Sequence, residues 1–109
     1  MHSIRLRDPW ESEPIDGAAA GRVRLGRRFG RPTGLGPSDV VWLVVEGAAP
    51  PGVVAINGRR LGEAGQGTPV RFDVTAELAE RNRVTIEVDL PTAGPPLGEV
   101  RLEIDAAGP

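Results

Sequence analysis

The sequence predicts an all-β fold, a two-sheet antiparallel sandwich or jelly roll, and three observations predict it. Glycine and proline, 15 and 11 of the 109 residues, gather in clusters such as Gly30-Arg31-Pro32-Thr33-Gly34-Leu35-Gly36-Pro37, Pro50-Pro51-Gly52 and Gly94-Pro95-Pro96-Leu97-Gly98. Between the clusters lie short, Val-rich runs with the two-residue apolar period of a half-buried strand. Both residues weaken strand interiors and suit tight turns, so the clusters read as punctuation between strands. A chain of this length makes one domain over residues 1–109, because a second core would have almost nothing to bury.

In chain order, Ile4 to Leu6 alternates with Arg5 and Arg7 outward and ends at Asp8-Pro9, a short first strand. Residues 11–21, polar and then Gly/Ala-rich, read as a loop. Val23, Leu25 and Phe29 mark a second strand whose other face carries Arg22, Arg24 and Arg28; Arg27 is out of phase, which points to a bulge near Gly26. The run Val40-Val41-Trp42-Leu43-Val44-Val45 is apolar on both faces and predicts a central strand covered on both sides. Val53 to Ile56 forms the next strand, and Asn57-Gly58 supplies the two positive-φ residues of a type I′ hairpin returning into Arg59 to Gly62. Val70, Phe72 and Val74 alternate against Arg71 and Asp73, after which Asp73 or Thr75 caps one short helix near 75–80, with Leu78 as its core contact. Val84, Ile86, Val88 and Leu90 face inward on one strand, and Val100, Leu102 and Ile104 on the last. Some eight strands result, with no internal repeat.

Composition excludes several function classes. Thirteen basic against fifteen acidic residues give a formal net charge of −2, which removes the electrostatic case for nucleic acid or an anionic membrane. Without cysteine there is no disulfide and no thiol chemistry. The beginning of the chain lacks an apolar leader, and no stretch approaches the ~18 residues of a membrane span, so a soluble, cytoplasmic protein is expected. The single His2 and the serines Ser12 and Ser38 have no evident partners for nucleophilic or acid–base catalysis. Glu87 with Asp89, and Glu103 with Asp105, lie about 7 Å apart along a strand, a spacing compatible with an inverting glycosidase pair. Alternation, however, places such carboxylates on every exposed β-face, and no catalytic activity and no cofactor are expected. Asp39 and Asp73 offer oxygen ligands for calcium, but without a dense Asp/Asn loop no metal is expected.

Candidates for ligand binding are few. A sugar ring usually stacks on an aromatic plate, and Phe29, Trp42 and Phe72 lie in phase with the apolar core face. Trp10, after Asp8-Pro9 and before Glu11, is either an exposed plate or a cover for an open end of the sandwich. In Arg27-Arg28-Phe29-Gly30-Arg31, guanidinium forks suit a phosphate or an acidic sugar, although a chain without lysine must also use arginine for ordinary surface charge. The ligand-binding candidates are therefore Trp10, Arg28 and Arg31. Gly62 to Gly67 lacks the lysine and the strand-to-helix setting of a phosphate cradle.

Residues Val40 to Leu90 carry a further pattern: an apolar strand ending in Glu46-Gly47, then Ile56-Asn57-Gly58 and Leu61-Gly62, then Phe72-Asp73-Val74-Thr75 with Leu78, then Arg81-Asn82-Arg83-Val84 opening an alternating strand. This order resembles the jelly-roll sugar-binding domain of glycoside hydrolases of the β-galactosidase and β-glucuronidase type, whose fold is galactose-binding-domain-like. Arg27-Arg28-Phe29 is similar to the family's earlier strand. In that family the catalytic carboxylates belong to a separate barrel domain. The resemblance therefore implies a non-catalytic, stand-alone module with carbohydrate as ligand. The segment Gly62 to Pro69 departs from the family by lacking aromatic or histidine residues. The scarcity of exposed aromatics leaves open a second reading, a structural or protein-interaction domain, with another protein or a second copy as partner.

Overall fold

Alternation along the chain produces the core directly. Val41, Leu43 and Val45 on one strand, Val54 and Ile56 on another, and Val84, Ile86 and Val88 on a third are all within 1% of complete burial. The computed structural model describes residues 2–7, 10–15, 22–46, 52–64, 69–89 and 99–106. Within these run nine strands: β1 (His2–Arg5), β2 (Glu11–Pro14), β3 (Arg22–Gly30), β4 (Asp39–Val45), β5 (Gly52–Ile56), β6 (Arg59–Ala64), β7 (Val70–Asp73), β8 (Arg81–Asp89) and β9 (Val100–Ala106). They form a four-stranded sheet in the order β1-β9-β4-β7 and a five-stranded sheet in the order β2-β3-β8-β5-β6. Every ladder is antiparallel, and the chain passes repeatedly from one sheet to the other. The fold is the expected all-β sandwich. No helix among the described residues is long and apolar enough to cross a membrane. The expectations for Asp8-Pro9, Gly47, Pro50-Pro51, residues 65–68, Leu90 and the 94–98 cluster lie outside the described residues.

Several local expectations are corrected. The polar stretch from Glu11 opens with a strand, β2, not a loop: Glu11 pairs with Gly26 and Pro14 with Val23. As an edge strand with one neighbour, it tolerates proline and needs little apolar surface. No bulge interrupts β3, whose register against β8 is continuous from Arg22 to Gly30. Arg27 therefore sits on the inward row, where its Nε donates to the Arg7 carbonyl at 2.8 Å. The irregularity falls instead on β6, where Val54 pairs with Gly62 and Ala55 with Arg60, leaving Leu61 as the extra residue.

The expected helix near 75–80 is only a 3-10 turn, Thr75–Glu77, closed by the Glu77 amide donating to the Val74 carbonyl at 2.9 Å and ended by the extended Leu78. Thr75 does not cap it. Asp73 Oδ1 accepts from the Thr75 amide at 3.0 Å and from its hydroxyl at 2.7 Å. The Thr75 hydroxyl oxygen in turn accepts from the Val41 amide at 2.9 Å, tying the turn to β4. Leu78 packs against the core as expected.

Strand β4 is central, but among the described residues no second layer covers its outward face. Val44, on that face, is nearly fully buried because Arg71 and Arg101 stand opposite it on both neighbouring strands. Their aliphatic stems cover it while their charged heads reach water. The Arg71 guanidinium lies 4.5 Å from the Trp42 ring centre, a cation–π contact on the same face.

Candidate functional site

The three sequence-derived candidates occupy different surfaces. Trp10 precedes the edge strand in phase with Ser12, so it turns toward the inner side of the sheet. Its ring is partly buried against the core, and its Nε1 donates to the Leu6 carbonyl at 3.2 Å. That is the geometry of an end cover, with the indole donor satisfied by the backbone. Arg31 follows the end of β3, where its amide donates to the Glu80 carbonyl at 2.9 Å and its guanidinium to the Leu78 carbonyl at 3.4 Å. Arg28 alone stands exposed on the outer face of the five-stranded sheet.

The register gives Arg28 neighbours that the linear sequence hides. It lies directly opposite Arg83, and the next row pairs Gly30 with Arg81, so Arg81 is diagonal to Arg28 on the same face. Directly opposed Cβ atoms stand about 5 Å apart and diagonal ones about 7–8 Å, within reach of arginine side chains. Arg83 leans away from Arg28 and over Gly26, where an added Cβ would lie 2.7 Å from its terminal nitrogen. From there it donates to Glu13 at 3.2 Å, and Arg24 reaches the same carboxylate at 3.4 Å. The hydrogen bond from Arg83, followed by that from Arg24, holds the Glu13 carboxyl below its ordinary range. Arg24 also pairs with Glu87 at 3.5 Å. Arg28 and Arg81, by contrast, have no carboxylate partner among the described residues. The spacing Arg81-Asn82-Arg83 was visible in the sequence as the start of a strand. Its position opposite Arg28 depends on the register, which no local signal specifies.

Beside this row a shallow groove of about 320 Å³ runs along the same face between Arg24, Arg83, Thr85 and Glu87, reaching the Asn57-Gly58 turn. A second depression of about 590 Å³ on the outer face of the four-stranded sheet is lined by Ser3, Arg5, Arg7, Glu99 and Arg101. Most of its charge is neutralised internally. Arg101 bonds Glu103 at 2.8 Å and Glu46 at 3.0 Å, while Arg5 bonds Glu99 at 2.8 Å. The Glu103 hydrogen bond is the main cause of a raised Arg101 pKa.

Two of the carboxylates considered for acid–base work are similarly tied up. Glu103 bonds both Arg101 and Arg71, and Glu87 faces Arg24. Asp39 Oδ2 accepts from the Gly36 amide at 2.7 Å and Asp73 holds the 3-10 turn, so both proposed calcium ligands serve local turns. No group of three or more potential metal-ligating side chains occurs among the described residues.

No protein-family model matches this sequence, and no curated protein matches it. Solved structures do. A beta-glucuronidase from Bifidobacterium dentium, complexed with coumarin-3-O-glucuronide, is 34% identical over 66% of this chain, with a TM-score of 0.57. A beta-glycosidase from Bacteroides vulgatus is 25% identical over 80% of the chain, with a TM-score of 0.66. The beta-D-glucuronidase of Dictyoglomus thermophilum is 15% identical over 97% of the chain, with a TM-score of 0.77, a likeness of fold alone. The matched regions are 12%, 12% and 28% of those three chains, so this chain spans only a small part of their length. The structural neighbours are thus glycoside hydrolases, consistent with a domain of that kind.

Proposed function

We propose that this chain is a non-catalytic accessory β-sandwich of glycoside-hydrolase type that binds an acidic saccharide, with Arg28 and Arg81 gripping its carboxylate. One observation carries the reading: two exposed arginines share a sheet face with no carboxylate partner among the described residues, where the other strand-borne arginines are largely paired. A guanidinium binds a carboxylate through two parallel hydrogen bonds, and two such forks side by side suit an anionic sugar. The likeness to enzymes that include a glucuronide-bound beta-glucuronidase supports a carboxylate-bearing sugar over a neutral one. The packed position of Trp10 makes the charge contact the main determinant.

Calorimetry with glucuronate-containing oligosaccharides and neutral oligosaccharides of equal length tests this. Saturable binding should favour the acidic ligands, weaken with added salt and disappear in the Arg28→Ala/Arg81→Ala double variant. Equal binding of neutral and acidic ligands, or binding of neither, refutes it. A second reading, a protein-contact module, rests on Trp42, whose Nε1 is buried without a partner beneath Arg71 on the other sheet's outer face. It requires a mass above 11.5 kDa by light scattering, or recovery of one specific partner that Trp42→Ala loses.

A further inference from the structure

We propose that Asn57-Gly58 is a modification site gated by the fold: Asn57 is held against deamidation by the hairpin's own hydrogen bonds, and it deamidates when they open. An asparagine followed by glycine is chemically vulnerable because the glycine nitrogen is unhindered by a side chain. The Gly58 backbone nitrogen attacks Asn57 Cγ, forming a C–N bond. The Cγ–Nδ2 bond breaks, and ammonia leaves with the proton taken from the attacking nitrogen. Water then opens the resulting five-membered imide, its OH going to either ring carbonyl and its H to the ring nitrogen, giving aspartate or isoaspartate.

The folded hairpin opposes the first step. Asn57 and Gly58 occupy the positive-φ conformations of the tight turn, with φ of 49° and 85°. Asn57 Oδ1 accepts from the Arg83 amide at 2.9 Å, and Nδ2 donates to the Glu77 carbonyl and to Asn82 Oδ1, each at 3.0 Å. The Asn57 amide also donates to the Arg83 carbonyl at 2.9 Å. Three side-chain bonds therefore turn the carboxamide toward β8 and the 3-10 turn and fix it there. Rotating Cγ onto the Gly58 nitrogen requires breaking them.

The product does not fit the same place. An aspartate oxygen replacing Nδ2 would face two acceptors, the Glu77 carbonyl and Asn82 Oδ1, and would lose both bonds. Isoaspartate adds a backbone carbon to a two-residue turn whose register sets the β5–β6 ladder. Modification thus removes the clamp that prevented it, so a modified chain is less able to close.

Peptide mapping of the ageing protein, scoring the replacement of the Asn57 NH₂ by OH, provides the test. The rate in the native protein is compared with that in urea and in a free peptide spanning residues 52–64. The native rate should be at least about tenfold lower, because reaction requires a local opening. Equal rates in native protein and peptide overturn the proposal. In Asn82→Ala, which keeps the turn sequence intact, a folded variant by circular dichroism should deamidate faster; an unchanged rate overturns it. Should that variant not fold, wild type in sub-denaturing urea serves instead. There deamidation must rise in parallel with hydrogen exchange at the Arg83 amide, and a flat rate alongside rising exchange overturns it.

Discussion

Asn57 and Asn82 meet side chain to side chain, the Nδ2 of the first donating to the Oδ1 of the second at 3.0 Å. The contact joins the β5–β6 hairpin to the start of β8. Asn82, only 3% exposed, extends it: Oδ1 also accepts from the Ala79 amide at 2.8 Å, and Nδ2 donates to the Ala79 carbonyl at 3.0 Å. Arg59, just past the turn, pairs with Glu77 and reinforces the same junction. Two asparagines distant in sequence are thus one device, which satisfies the backbone groups freed where the 3-10 turn gives way to a strand.

Replacing Asn82 with alanine should therefore cost more than a surface change. Three hydrogen bonds are lost, and the backbone groups of Ala79 are left to water because that residue is exposed. A loss of about 2 kcal/mol is expected in urea unfolding, with Asn82→Asp intermediate because it keeps the acceptor. A variant within about 0.5 kcal/mol of wild type would show that the clamp is redundant.

Eight of the nine strands were legible in the sequence, β3, β4, β5, β8 and β9 through a strong inward row and β1, β6 and β7 as shorter runs, and the Asn57-Gly58 turn was legible because its chemistry is local. What escaped depends on neighbours. Strand β2 has almost no apolar signal because it lies at an edge, held by backbone pairing to β3. Val44 reads as buried under a second layer, yet arginine stems from adjacent strands bury it, and only the sheet order reveals that. Among the candidate ligand residues, Arg28 could be named from the arginine run, but Arg81 and Arg83 join it only through register. For Trp10 the sequence favours a cover over a plate, and the Leu6 carbonyl at its indole nitrogen has the geometry of a cover.

Two glycines that look alike in sequence should respond differently to alanine. A Cβ on Gly52 would lie 2.8 Å from Ile86 Cγ2, 2.9 Å from Val88 Cγ1 and 3.1 Å from the Glu87 carbonyl. These are core and backbone atoms that cannot step aside, so Gly52→Ala should destabilise by about 1–3 kcal/mol. A Cβ on Gly26 meets only the mobile end of Arg83. Gly26→Ala should cost less than about 1 kcal/mol, consistent with displacing one exposed ion pair. Denaturation midpoints for the two variants decide it; equal losses contradict the packing described.

Acid should weaken the fold partly through Glu13. Its carboxyl titrates in the folded protein below its unfolded value, chiefly because of the Arg83 hydrogen bond and then that of Arg24. Its contribution is therefore complete above the unfolded pKa and is lost as pH falls through the folded one, from about pH 5 downward. In Glu13→Gln, the melting temperature should decline less steeply across that acidic window than in wild type. Parallel curves would show that the Arg83 and Arg24 contacts do not persist in solution.

Arg28 and Arg81 should separate binding from stability. Arg28 stands directly opposite Arg83 with no carboxylate between them, and like charges so placed disfavour the folded sheet. Arg28→Ala removes that repulsion and should leave stability unchanged or raise it by up to about 0.5 kcal/mol. Arg83→Ala should lower stability, since it loses both the Glu13 pair and the packing over Gly26. If Arg28→Ala unfolds at a urea concentration equal to or above that of wild type while losing the acidic saccharide, the arginine is retained for its ligand. A destabilisation exceeding about 1 kcal/mol would make Arg28 a structural residue and remove the observation on which saccharide binding rests.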